Sequence, residues 1–534
     1  MHLLFEFRFL PLTLSVLLAI GSVGAALVWP AWAFFFACAF AGFAMLVALG
    51  LRGITQTRHA VLRNYPIAAH LRFLLESVRP EMRQYFFEGE KDGAPFPRDK
   101  RAIVYQRAKK ELDKRPFGTM FDVYQEQFEW LHHSLAPTPP LPVAEMRVQV
   151  GRYSASLLNI SAMSYGALSA NAIRSLNRGA QAGGFFHDTG EGGVSPYHRE
   201  AGGDLVWEIG SGYFGCRAED GGFDPAKFAE NAADQQIRMI EVKLSQGAKP
   251  GHGGVLPAAK VTAEIAAIRG VPMGQDCVSP ASHAAFSTPV GLLQFIARLR
   301  ELSGGKPSGF KLCIGHEWEF MALCKAMVET GITPDFIVID GKEGGTGAAP
   351  LEFMDHIGMP LRDGLSFAHN ALIGAGLRDR VKIGASGKIT SAFDMAKVMA
   401  LGADWCNAAR GFMFAVGCIQ AQSCHTGQCP TGVATQDPLR QRALVVADKS
   451  ERVTNFHHNT LHALAELVAA AGLRHPRELR PHHFQRRASS DKVISFAEQY
   501  EQLRDGQLLD APASSLRYGA AWALSRSDSF ARAE

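Results

Sequence analysis

From Phe9 to Leu51 the chain carries no Asp, Glu, Lys, Arg or His. A crossing of a bilayer needs about 20 apolar residues, so this run is long enough for two helical spans. The Trp29-Pro30 pair divides it. Proline removes a backbone donor and Trp favours the membrane boundary, which predicts a tight hairpin with spans near Phe9–Trp29 and Ala31–Leu51. Arg8 precedes the first span, and Arg52, Arg58 and Arg63 follow the second. That positive excess places both flanks, and all that follows, in the cytoplasm. The expected location is the inner, cytoplasmic membrane, with lipid as a partner of the hairpin. A cleaved signal peptide with a small-residue site near Ala25 is the alternative, although it would leave a second apolar stretch as the new N-terminus. A buried soluble hairpin is disfavoured because neither helix has a polar face.

The remaining chain has ordinary globular composition: of 534 residues, 47% are hydrophobic and 20% charged. That excludes wholesale disorder and supplies a large core. A formal net charge of +4 with no long basic block gives no reason to expect a nucleic-acid partner. Nine cysteines, thinly spread outside one late group, do not form a disulfide framework and suit a reducing compartment.

Residues 55–150 read as a mixed, largely helical linker, with helical stretches at Arg101–Leu112 and Asp122–Leu131, closed by the proline-rich Ala136–Pro142. Beyond it, short apolar runs alternate with helical patterns. Leu157–Ile160, Met239–Leu244, Phe310–Ile314, Phe336–Asp340, Val381–Ala385 and Trp405–Ala408 are expected strands, and Thr288–Leu302 and Ser391–Leu401 expected helices. Polar and glycine residues gather at the strand ends, as in a (β/α)8 barrel, here over 151–474. A doubly wound sheet is the competing architecture, weakened by the absence of a G-x-G-x-x-G fingerprint. Residues 475–534 are expected to be a surface extension.

Ser386-Gly387-Lys388 and Ala409-Arg410-Gly411 follow the last two expected strands, where barrels commonly hold phosphate. Two ordinary βα turns would look the same. Gly341–Gly347 is a further glycine-rich stretch, and Lys311 ends a strand, placed either to stabilise charge on a reduced flavin or to reach the rim. Cys418, Cys424 and Cys429 are spaced C-x5-C-x4-C. Thiolates on one compact loop suit an iron–sulfur cluster or zinc, although this is not a zinc-ribbon spacing; three structural cysteines remain the alternative, and His425 is a possible fourth ligand.

These stretches carry a resemblance. Ser161–Ser169, Gly190-Glu191-Gly192-Gly193, Gln246–Gly251, Gly344–Ala348 and Cys424–Pro438 resemble, in order, the FMN-binding central domain of glutamate synthase over about 150–470. The resemblance implies a (β/α)8 TIM barrel holding FMN, and a 3Fe-4S cluster on Cys418, Cys424 and Cys429. It places Met163 and Ser164 against the flavin, Lys311 near its electron-rich edge, and Ser386, Gly387, Ala409, Arg410 and Gly411 at its phosphate. Glu191, Lys243 and Lys249 would serve 2-oxoglutarate and ammonia, a dicarboxylate needing cations and imine formation a proton-transfer group. The implied reaction is reduction of 2-iminoglutarate to L-glutamate.

The family's Lys-Pro-Gly-Glu-Gly-Gly-Gln run reads Lys249-Pro250-Gly251-His252-Gly253-Gly254-Val255, which replaces a side-chain amide by valine and opens the door to a related 2-oxo acid. No glutaminase domain and no NADPH or FAD fingerprint are visible, so electrons are expected from a ferredoxin-like donor or a separate reductase. Two other readings stand beside this one: a different FMN barrel oxidoreductase, which leaves the cysteine triad unexplained, and a tethered flavin and iron–sulfur electron carrier.

Overall fold

The computed structural model describes residues 6–534; residues 1–5 of the expected 1–54 hairpin segment lie outside it. The chain forms two compact units, 1–99 and 100–534.

In the first unit, apolar helices α1 (Leu10–Val28) and α2 (Ala33–Thr55) are joined by a short turn at Pro30–Trp32. Leu12, Ser15, Ala19 and Ser22 form the buried stripe of α1, at helical spacing, and Leu12 lies against Gly50 of α2. Small residues there let the helices approach closely. The two hydroxyls return to the helix's own backbone, Ser15 Oγ to Pro11 O at 2.8 Å and Ser22 Oγ to Leu18 O at 2.7 Å, so neither is left without a partner in an apolar setting. Both helices are long and apolar enough to cross a membrane.

The second unit is a closed barrel of eight parallel strands: β1 (Leu158–Ile160), β2 (His187–Asp188), β3 (Leu205–Ile209), β4 (Ile237–Lys243), β5 (Ser308–Leu312), β6 (Phe336–Asp340), β7 (Lys382–Ser386) and β8 (Trp405–Ala408). Each pairs with the next, and β8 closes on β1 through Ala408 and Ile160. The expected barrel is therefore observed. All six strands read from apolar runs are present, shifted by at most a few residues, while β2 and β3 are additional.

An antiparallel hairpin, Arg147–Val150 with Tyr153–Ser156, plugs the N-terminal mouth. Its Val150, Tyr153 and Ala155 pack among Phe186, Val206, Met239, Phe336, Val338 and Trp405, residues near the strand starts. The turn is tight: Gly151 has φ +51°, and a Cβ there would meet Pro307 at 2.9 Å. The long helix Val446–Ala470 follows β8 and seats on Ala170–Gly183, where Gly179 admits Val453 so closely that a Cβ would lie 2.5 Å from it. His457 of that helix bonds Ser156 at 2.9 Å and stacks on Phe185.

Two expectations about the flanks change. Asp122–Leu131 is not helical; Glu129–Leu131 is a strand that pairs antiparallel with Phe484–Arg487, which pairs in turn with Val493–Ser495. The expected linker and the expected surface extension thus share one sheet, and everything from Lys100 onward belongs to one compact unit. Nor is the C-terminal part superficial: Phe484, Phe496, Leu508 and Tyr518 are buried, and Tyr518 stacks on Phe367 of the barrel helix Leu361–Gly374. Burying each such side chain contributes about 1.5–3 kcal/mol, which holds the tail in place.

Candidate active site

The C-terminal ends of the strands carry the polar groups. Glu191, in the loop after β2, reaches Lys243 at the end of β4, Oε2 to Nζ at 3.1 Å. Lys243 Nζ also donates to Gln246 Oε1 at 2.7 Å. Burial works to raise the Glu191 carboxyl, but the charges of Lys243, Arg269 and Lys249 outweigh it and hold it below the usual carboxylate range. Lys249 is buried, donates to Gly253 O at 2.9 Å, and has its ammonium pushed down by that burial against the pull of Glu191. Glycines make room for this group: a Cβ on Gly254 would lie 2.1 Å from Glu191 Oε1, and one on Gly210 2.9 Å from Glu191 Cβ.

Met163 and Ser164 lie across Gly190, whose left-handed backbone (φ +64°) and missing side chain permit it; a Cβ there would meet Ser164 N at 2.7 Å. Ser161, Ser386 and the residues after β8 converge on the next sector of the mouth. Ser161 N donates to Ala408 O at 3.2 Å, and its Oγ lies 3.4 Å from Ser386 Oγ. Gly387 follows directly at φ +151°, and Ala409 and Gly411 flank Arg410 at the start of Arg410–Ala415. The Arg410 guanidinium turns elsewhere: it donates to Thr346 O at 2.9 Å and approaches Cys424 Sγ at 3.9 Å. It ties the glycine-rich loop to the cysteine loop.

Lys311 lies inside the barrel, buried, in an ion pair with Glu208 and another with Glu241 at 3.2 Å. Burial opposes its charge, yet Glu208, Glu241 and Asp188 outweigh that and hold it protonated. The same burial pushes the Glu241 carboxyl up to about 7 and Asp188 well above its ordinary range. Burial and mutual repulsion thus push Asp188 and Glu241 toward their protonated forms beside the ammonium.

Cys418 and Cys429 are buried and Cys424 half-buried, whereas His425 is exposed. Burial raises the Cys418 thiol. It works the same way on Cys429, but the Thr431 hydroxyl and the backbone N–H groups of Ala434, Thr431 and Val433 outweigh it, and that thiol lies below its usual range. Lys260, buried nearby, is pushed down by burial and drawn up by Cys424 and Cys429. Backbone donors and buried cations around thiols suit an anionic cluster. The loop is bound to the Met163–Ser169 segment by Ser169 N to Val433 O at 2.9 Å and by Gln436 Nε2 to Gly166 O and Leu168 O.

Two groups join the site that motifs did not single out, Arg269 and His283, and with them Asp340, at the end of an expected strand. Arg269 is buried, donates to Tyr165 O at 3.3 Å, lies over Phe214, and keeps its Nε without a partner. His283 donates from Nε2 to Lys243 O at 2.8 Å, which leaves Nδ1 facing Tyr213 OH at 3.2 Å, and its imidazole is pushed down by burial. Asp340 accepts from Gly247 N at 2.8 Å, in a contact so close that a Cβ on Gly247 would fall 1.7 Å from Gly341 O. Val255 pairs with Val278 in a two-residue strand, and His252 packs edge-on against Phe353.

The profile of the conserved region in glutamate synthase matches residues 121–474. The chain belongs to the glutamate synthase family. It is 37% identical over 485 residues to the glutamate synthase large subunit-like protein YerD of Bacillus subtilis, covering 82% of this chain and 92% of that one. It is 36% identical over 314 residues to the archaeal-type NADPH glutamate synthase of Thermotoga neapolitana, covering 59% of each. The match to the NADPH glutamate synthase large chain of B. subtilis, 33% identical, covers 59% of this chain but 20% of that one. The family's members are oxidoreductases acting on CH–NH2 donors, and this chain is an enzyme of that class.

Proposed function

We propose that the protein is a membrane-anchored flavin and iron–sulfur oxidoreductase that reduces the imine of 2-oxoglutarate, or of a related 2-oxo acid, and ammonia to L-glutamate or the matching amino acid. The observation that carries this reading is the Glu191–Lys243 contact at the barrel mouth, with Lys249 and Arg269 beside it. Three cations around one carboxylate leave a net positive pocket, which suits a dicarboxylic substrate. Glu191, ionised at neutral pH, is the group that takes a proton from ammonium and returns one as water leaves the carbinolamine. Lys243 and Lys249 hold the two carboxylates, and Arg269 fixes the Met163–Tyr165 segment.

FMN, when bound, would supply the hydride. Ser386, Gly387, Ala409 and Gly411 present hydroxyl and backbone donors for its phosphate, and Met163 and Ser164 a surface for its ring. Arg410 serves that phosphate less directly than expected, its guanidinium being held by Thr346. Lys311 serves the flavin's edge less directly than expected, its charge being matched inside the barrel by Glu208 and Glu241. A 3Fe-4S cluster on Cys418, Cys424 and Cys429 would pass electrons inward from a ferredoxin-like donor or a separate reductase, and α1 and α2 would fix the enzyme to lipid.

The test is anaerobic. Protein in mild detergent is reduced chemically, then given 2-oxoglutarate and ammonium; flavin reoxidation with glutamate formation supports the reading. Reoxidation by no 2-oxo acid favours the electron-carrier alternative.

A further inference from the structure

The helix Ala68–Met82 follows the apolar hairpin in the same compact unit. Leu71, Leu74, Leu75, Val78 and Met82 recur at spacings of three and four and so share one face. All five are between 40% and 60% exposed. Internal packing uses the other side, where Ala69 is buried and Phe73 meets the His59 ring at 5.6 Å. Tyr85, Phe86 and Phe87, in the turn that follows, are exposed as well. An aqueous face of this composition costs free energy on every residue.

We propose that residues 68–87 lie in the plane of an anionic lipid surface, the Leu71–Met82 face seated at the boundary between headgroups and acyl chains. This rests on the reading of α1 and α2 as a membrane anchor. Two observations favour lipid over other occupants. The helix is tethered to the end of α2 by residues 56–67, and Gly53 packs against the backbone of Leu62 and Pro66 so closely that a Cβ would lie 3.1–3.3 Å away, so the stripe starts where the second span ends. Between residues 52 and 88 there are six arginines against three glutamates, a cationic excess that anionic headgroups attract.

The full chain is placed in nanodiscs of anionic phospholipid containing a lipid with a diazirine on its acyl chain, irradiated, and mapped by peptide mass spectrometry. Adducts are expected on α1 and α2 and also on Phe73–Arg83, and those on Phe73–Arg83 should be lost in Leu74→Glu/Leu75→Glu while the hairpin adducts remain. The milder Leu74→Gln should reduce them in the same direction. Hairpin adducts without any on Phe73–Arg83 in the native chain overturn this inference and leave the anchor standing. Adducts on neither overturn both.

Discussion

Glu191 and Lys243 meet at 3.1 Å across the barrel mouth, one from the loop after β2 and the other from the last residue of β4. Strands β2 and β4 both pair with β3, so the sheet sets them one strand apart and the loop after β2 spans that gap. Replacing Glu191 by Gln keeps the shape and removes the carboxylate that we propose as the proton acceptor. The turnover number with 2-oxoglutarate and ammonium should fall by about 10²-fold or more, with a smaller change in KM. A fall under twofold in steady-state assays would assign Glu191 a structural part only.

Gly254→Ala tests the same contact from the other side. Its Cβ would lie 2.1 Å from Glu191 Oε1, so the carboxylate must move off Lys243. Activity should drop while the thermal midpoint shifts by only a few degrees, since Glu191 is a side-chain end that can turn. Equal loss of both would mean that the backbone at Gly254 fails instead.

The carboxylates around Lys311 set a pH dependence of stability. Glu241 is raised from its ordinary 4.5 to about 7, so the folded state binds a proton that the unfolded chain releases earlier. Its contribution is complete below about pH 4.5 and is lost as pH rises toward 7. Glu241→Gln should flatten urea-denaturation stability between pH 5 and 7. Lys311→Met, which leaves the carboxylates without their cation, should cost about 3–5 kcal/mol at pH 7.

Cys424→Ser removes one of three clustered thiols. Iron content and visible absorbance should fall together, with FMN retained; unchanged iron per protein by elemental analysis would remove Cys424 from the ligand set.

Several of these features were legible in the sequence because their signal is local. Phe336–Asp340 and Trp405–Ala408 are strong apolar runs and appear in the structure at the bounds expected. His187–Asp188 gives no periodicity in two residues, and Leu205–Ile209 hides Glu208 inside an apolar run. Arg269 and His283 sit in no motif; only folding brings them to Tyr165 and Lys243. Glu129–Leu131 read as helix because its partner lies more than 350 positions away, and local propensity yields to such a pairing.

That pairing also orders events at the ribosome. Glu129–Leu131 leaves the exit tunnel early and waits, its backbone groups unmatched, until Phe484–Arg487 is made after all eight barrel strands. Glu129 is then locked by Arg362 and by Lys397 at 3.1 Å, charges already installed on the barrel's helices. The stretch that follows the barrel thus works as a clasp, and a nascent chain stalled before residue 484 would hold a barrel whose outer sheet is still open.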